Sequence, residues 1–260
     1  MKMTVGAQLF TLRDYMQNEA DLAHTLERVS AIGYTHVQLS GAGPIDPKRI
    51  RALCDQNHLK IVLTHNSPDR LLNDIDGVLR DNEIYGCGYI GLGGMPPRYC
   101  NEEWIDRFAV DFRPTAKAIA ATGKRFLYHH HAFDFRRSRG GRRQLEIILE
   151  AFPPEELGVI LDTYWVQMAG ADMFDWAEKL KDRIPCVHLK DMTVQPRVFD
   201  NIPMMMAVGE GNMNFPGFLA HLERLGGTEY ILAEEDNCPE DPFLCLEKSY
   251  KNLKAMGYCK

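Results

Sequence analysis

LGVILDTYW, residues 157–165, is a short apolar run that ends in a carboxylate, Asp162. Its length and its flanking glycine suit a strand buried on both faces of a parallel sheet. Three other segments repeat the plan: FLYHHHAFD (126–134), PCVHLKD (185–191) and EYILAEED (229–236). Each closes a strand-like run with groups that bind metals: His129, His131 or Asp134 in the first, His188 in the second and Glu234 in the third. Helix-like sequence separates them. In a parallel barrel all such strand ends open on one face, where carboxylates and imidazoles converge on a single divalent cation.

The same alternation runs through the whole chain. Apolar runs at 4–10, 35–39, 60–64, 88–92, 125–130, 157–161, 185–190 and 229–234 make eight expected strands. Between them lie helical faces such as Leu22, Leu26 and Val29, or Leu246, Tyr250 and Leu253. Ile105, Phe108, Ala109, Phe112 and Ala116 mark a longer helix, in which Pro114 predicts a kink or break. Gly33, Gly123 and Gly226 stand where left-handed C-caps are expected. Eight βα units close most simply as a single-domain α/β fold, a (β/α)8 TIM barrel over residues 1–260. The competing open doubly wound sheet lacks support, because GAQLFTLRD after the first strand holds no GxGxxG. The stretch 191–213 is the longest expected irregular segment, and as a loop after the seventh strand it reads as a lid over the mouth.

Composition narrows the function. Hydrophobic residues are 45% and charged residues 25% of 260, ordinary for a globular protein with a large core. A net charge of −6 disfavours nucleic acid as a partner. The densest basic stretch, Arg136 to Arg143, reads as a solvated loop more readily than as an anion site. The seven cysteines are odd in number and lack CxxC spacing, as expected of reduced thiols. With no secretory h-region and no membrane-length apolar run, a cytoplasmic location is expected.

Around the cluster, Lys190 shares strand parity with His188 and is expected to face the mouth as an oxyanion-stabilising or orienting group, or else to pair with Asp191. Glu234 is the deeper of the Glu234/Asp236 pair and doubles as a proton-transfer candidate. In the triple histidine, a period of two puts His129 and His131 together and His130 opposite. One of His129, His131 and Asp134 should complete the metal shell and another should contact substrate. The assignment adopted is His129 as ligand, His131 as substrate contact and Asp134 as acid/base. Gln8, Gln38, His65 with Asn66, and Trp165 are further mouth candidates, neutral donors and acceptors suited to a polyhydroxylated ligand.

With its YHHHAFDF, LDTYWV, VHLKD, VGEG and AEEDN motifs, the chain resembles the sugar phosphate isomerase/epimerase family of xylose-isomerase-like barrels over nearly its whole length. The usual family forms are YHNHxFEF, LDTYWV, VHLKD, VGEG and VEQD. The resemblance implies one divalent metal at the C-terminal mouth, with Asp162, His188 and Glu234 on its ligands. It also implies a small carbohydrate substrate and an activity among ketose epimerases, aldose–ketose isomerases and inosose dehydratases. Three departures stand out. The His cluster occupies a strand where many epimerases carry a Glu ligand, Asp134 replaces a Glu, and Gln38 replaces a common Glu on the second strand. The expectation is a metal-dependent isomerase or epimerase (Mn²⁺, Co²⁺ or Mg²⁺, with Zn²⁺ also allowed) acting on a ketose or keto-sugar through an enediolate. The alternatives are a lyase acting on an inosose or 3-keto-glycoside, and a sugar-binding barrel without turnover. Exposed helix faces leave homo-oligomer formation open.

Overall fold

The structure, a computed structural model, describes residues 2–101, 104–197 and 201–259. Eight parallel strands close on themselves: β1 (Thr4–Gln8), β2 (His36–Leu39), β3 (Lys60–Asn66), β4 (Tyr89–Leu92), β5 (Arg125–His129), β6 (Gly158–Asp162), β7 (Cys186–Leu189) and, after a hairpin, β10 (Tyr230–Ala233), which pairs back onto β1. Helices fill each crossover, so the fold is the expected TIM barrel in a single domain. The strand ends shift by a residue or two from expectation, and His65 and Asn66 fall inside β3 rather than after it.

Two apolar layers hold the barrel. The larger lies between the strands and the helix ring, and includes Leu22, Leu26, Val29, Phe108, Phe112 and Leu246. The smaller, formed by Val62, Leu63, Leu127, Ile160, Cys186 and Leu232, fills the bore. The bore layer decides where the site lies. Side chains alternate across a strand, so the residue two positions beyond an inward-pointing bore residue also points inward, one layer higher. Two steps beyond Leu63, Leu127, Ile160, Cys186 and Leu232 come His65, His129, Asp162, His188 and Glu234. Gly91 has no side chain at a matching position on β4. A Cβ there would lie 2.8 Å from both His65 Cδ2 and the Thr64 carbonyl, so its absence makes room for the His65 ring.

Three expectations need correction. Residues 191–213 are not irregular throughout: β8 (Asp191–Pro196) and β9 (Asn201–Met206) pair as an antiparallel hairpin rising from the end of β7, with 198–200 outside the described residues. The helix Ile105–Ala121 runs through Pro114 without a break. The carbonyl that loses its partner belongs to Val110, four residues earlier on the exposed side, where water can satisfy it. Asp191 does not pair with Lys190. Its buried carboxylate accepts from the backbone N–H groups of Met192, Gly209, Gly211 and Met213 at 2.7–3.1 Å, which ties the VGEG loop to the root of the hairpin. The arginine-rich stretch forms local contacts as expected of a surface loop: Arg137 donates to the Gly141 carbonyl at 2.7 Å, and Arg142 pairs with Glu150.

Asp134 is a structural residue of the turn after β5. Both its oxygens accept from the Tyr128 hydroxyl at 2.9 Å, one also accepts from Gln144 Nε2 at 3.0 Å, and the other from the His131 N–H at 2.8 Å. It is fully buried, and burial pushes its carboxyl up to about 7 although every partner donates to it.

Asp134→Ala is therefore expected to leave three buried donors unpaired and cost about 2–5 kcal/mol in denaturant unfolding. Gly211→Ala should cost about 1–3 kcal/mol and open the 207–213 segment to proteolysis. Its Cβ would run into Asp191 Oδ1 and lie 2.6 Å from the Met192 carbonyl oxygen.

Candidate metal centre

One ligand atom from each of His129, Asp162, His188 and Glu234 lies within 4.8 Å of the others, and all four residues are buried. Each is placed by the end of its strand. His129 and Asp162 are the last residues of β5 and β6, His188 sits within β7, and Glu234 follows β10 directly. Asp162 also caps the helix Thr163–Met168, its Oδ1 accepting from the Trp165 N–H at 3.0 Å while Oδ2 faces the cluster.

Both imidazoles have one nitrogen engaged away from the cluster. His129 Nδ1 lies 3.1 Å from the Gly93 carbonyl, and Nε2 lies 3.2 Å from Asp162 Oδ2. His188 Nε2 lies 2.8 Å from Gln38 Oε1, and Nδ1 faces Glu234. A carbonyl acceptor on the outer nitrogen fixes the tautomer that presents a lone pair inward, the usual support of a metal-bound histidine. His188 Nδ1 and Glu234 Oε2 are only 2.8 Å apart, yet neither makes an aligned hydrogen bond. The carboxylate and imidazole set, with its outer shell in place, fits a divalent cation.

Lys190 lies at the rim of this group, fully buried. Its ammonium is 3.1 Å from Asp162 Oδ2, 3.1 Å from Glu234 Oε2 and 2.9 Å from Asp236 Oδ2. Burial opposes its charge, but the three carboxylates outweigh burial and raise its pKa. Burial likewise opposes charge on Asp162 and Glu234, and Lys190 is foremost in holding both well below the usual carboxylate range. With no cation present, burial would lower the His188 pKa. Glu234 and Asp162 override it and push the value up to about 9. Three carboxylates face the Lys190 ammonium and the His188 imidazolium, and a cation bound here would take the place of the His188 proton.

Above the cluster is a cavity of about 310 Å³, lined by Gln8, His65, His129, His131, Glu234 and Asp236 among others. His65 is held neutral by burial and by neighbouring His129 and His188, and burial followed by His129 lowers His131 to about 3. Gln8 Nε2, His65 Nε2 and His131 Nδ1 are buried without partners, as donors or acceptors awaiting a polar ligand would be. A larger cavity of about 510 Å³, at the opposite end of the barrel beside His36, Lys60, Arg125 and Glu229, contains none of the converging groups.

The expected site residues therefore divide. His129, Asp162, His188, Glu234 and Lys190 come together, and Gln8, His65 and His131 line the cavity above them. Gln38 is fully buried and does not line the cavity; its Oε1 lies 2.8 Å from His188 Nε2, and its own Nε2 has no partner. Asn66 lines the cavity, with its amide donating to Thr64 Oγ1 at 2.9 Å. Trp165 packs on the His131 ring, with ring centroids 5.1 Å apart, and under Lys190, whose Nζ is 5.5 Å from its centroid. Asp134 is withdrawn into the turn described above.

Sequence reasoning missed three supports. His130 turns outward as its parity requires, and its Nε2 accepts from the Asp162 N–H at 3.0 Å. Ser40 Oγ is 3.2 Å from His65 Nδ1. Gly91 and Gly93 clear space for His65, and the period-two glycines of GYIGLGG were the available signal.

Comparison with known proteins agrees with this architecture. An inosose dehydratase of Lacticaseibacillus casei is 20% identical over 274 residues, covering 91% of this chain and 90% of that protein. A sugar phosphate isomerase/epimerase structure from Parabacteroides distasonis superposes with a TM-score of 0.81 at 20% identity, covering 100% of both chains. A D-allulose 3-epimerase from Methylomonas sp. superposes with a TM-score of 0.71 at 16% identity, covering 98% of both. The relatives so named are enzymes, and among the described residues no helix is long and apolar enough to cross a membrane. The family profile described as xylose isomerase-like TIM barrel matches residues 26–243, and the chain belongs to that family.

Proposed function

We propose that this chain is a divalent-metal-dependent enzyme that removes the proton beside the carbonyl of a ketose or keto-sugar, giving an enediolate. The observation that carries the reading is the convergence of His129, Asp162, His188 and Glu234 beneath a cavity lined by neutral, unpartnered polar groups. Those four residues would hold the cation, which supplies Lewis-acid stabilisation of the charge that develops on the substrate oxygens. Mn²⁺, Co²⁺, Mg²⁺ and Zn²⁺ all suit the mixed ligand set.

The remaining work falls to side chains. Glu234 lines the cavity and is kept ionised by Lys190 and His188, so it is the group to accept the α-proton. Lys190 holds its ammonium 3.1 Å from Glu234 Oε2 and can donate to the oxygen that becomes negative. Gln8, His65 and His131 orient hydroxyls without adding charge.

Return of the proton to the other carbon or the other face gives an isomerase or epimerase. Expulsion of a β-substituent gives a lyase, the dehydratase reading for an inosose or 3-keto-glycoside. One observation disfavours the epimerase. Asp134, the carboxylate expected on the opposite side, is engaged by Tyr128, Gln144 and His131, and Gln38 is engaged by His188. Asp134 is thus withdrawn and Gln38 is an amide without an ionisable proton, so neither supplies the second-face acid that epimerisation needs, whereas elimination and same-face isomerisation need only the Glu234/Lys190 side.

The test is solvent exchange. In D₂O with Mg²⁺ or Zn²⁺, the protein should wash deuterium into the α-position of at least one member of a panel of ketoses, inososes and 3-keto-glycosides, followed by NMR. Glu234→Gln should slow this by about 10²–10⁴-fold. No exchange and no turnover with any member, together with no thermal stabilisation by any of the four metals, would sink the proposal. Gln38→Ala, which touches neither metal nor substrate, is expected to weaken metal affinity about 10–100-fold, measured by competition with a chelating dye.

A further inference from the structure

Strand alternation turns the residue after Glu234 the other way. Glu235 leaves the bore and enters the layer between the barrel and the helix Pro242–Ala255. It is 1% exposed, and neither carboxylate oxygen has a nitrogen or oxygen partner; the Cys245 thiol is the hydrogen-bonding group beside it. Its backbone N–H donates to Thr11 Oγ1 at 2.9 Å, so the main chain there is anchored. A carboxylate buried with only a weak thiol donor beside it is costly unless something else satisfies it.

Two thiols meet it. Cys238 lies in the turn that follows, half-buried, its Sγ 4.0 Å from the Glu235 carbonyl oxygen. Cys245 lies on the first turn of the helix Pro242–Ala255, fully buried, at a position set by the Asp241 cap. One ligand atom from each of Glu235, Cys238 and Cys245 lies within 4.8 Å of the others. Two sulfurs and a carboxylate oxygen select a thiophilic ion over Mg²⁺ or Ca²⁺, and three protein ligands leave one position of a tetrahedron for water or a backbone group. A disulfide between the two cysteines would take away the one thiol donor beside Glu235, so it accounts for less of what is observed.

We propose that Glu235, Cys238 and Cys245 form a second metal site, outside the barrel mouth, for a divalent cation of the zinc class. The two thiols give up their protons on binding, and the ion ties the end of β10 to the final helix. Because Glu235 adjoins Glu234, an ion here would stiffen the segment that presents Glu234 to the mouth. The proposal does not depend on the reaction assigned to the mouth.

Cobalt separates the two sites, because only this one offers thiolate. Reduced, chelator-stripped protein titrated with Co²⁺ is expected to develop a saturable thiolate-to-cobalt charge-transfer band in the near ultraviolet, bleached by Zn²⁺. Asp162→Asn should keep the band, and Cys238→Ser, at a half-buried turn position, should weaken cobalt binding in it by more than about tenfold. The proposal is overturned if wild-type protein shows no such band at millimolar Co²⁺, if the band is undiminished in Cys238→Ser, or if a Cys238–Cys245 disulfide forms in the stripped protein in place of cobalt binding.

Discussion

The closed barrel allows each strand only two directions for its side chains, and the rest of the molecule depends on that restriction. With Leu63, Leu127, Ile160, Cys186 and Leu232 packed in the bore, the next inward residue on each strand is delivered to the mouth at nearly the same height. Burying a tight group of charges needs such a frame, because each charge alone would be strongly disfavoured. Here the apolar layer beneath fixes the spacing, and Lys190 offsets part of the negative charge.

A second restriction acts on the ligands themselves. A histidine ring can swing and change tautomer, so placing its Cα is not enough. The Gly93 carbonyl and Gln38 each take one ring nitrogen and leave the other directed inward. His130 steadies the backbone of Asp162 from outside the barrel. The triple histidine thus divides into three tasks by parity: one ring in the cluster, one behind it and one above it.

The fold and the core of the site were legible because they follow from period and length. Short apolar runs ending in Asp162, His188 and Glu234 recur with helical sequence between them, and a period of two separates His129 from His130 without any coordinates. What was not legible depends on where the chain goes after a strand ends. Asp134 looks like a mouth residue along the sequence, but the turn folds back and Tyr128 and Gln144 enclose it. Gln38 has the right parity and the right height, yet the His188 ring reaches it before any ligand could. The hairpin of β8 and β9 was hidden because a two-stranded ribbon carrying Pro196 and Pro203, much of it half-buried or exposed, need not show clean alternation.

Asp191 gathers four backbone N–H groups at the base of that hairpin, while its own backbone pairs with Met206 across the ribbon. Both legs of the insertion are thus clamped where they leave the barrel, and nothing in the clamp reads the residues at the tip. The ribbon behaves as an interchangeable part. Its outer sequence can drift, lengthen or be exchanged between related barrels while His188 and Lys190, just below the clamp, keep their positions. Changes in the ribbon beyond its root therefore leave the charged centre underneath undisturbed.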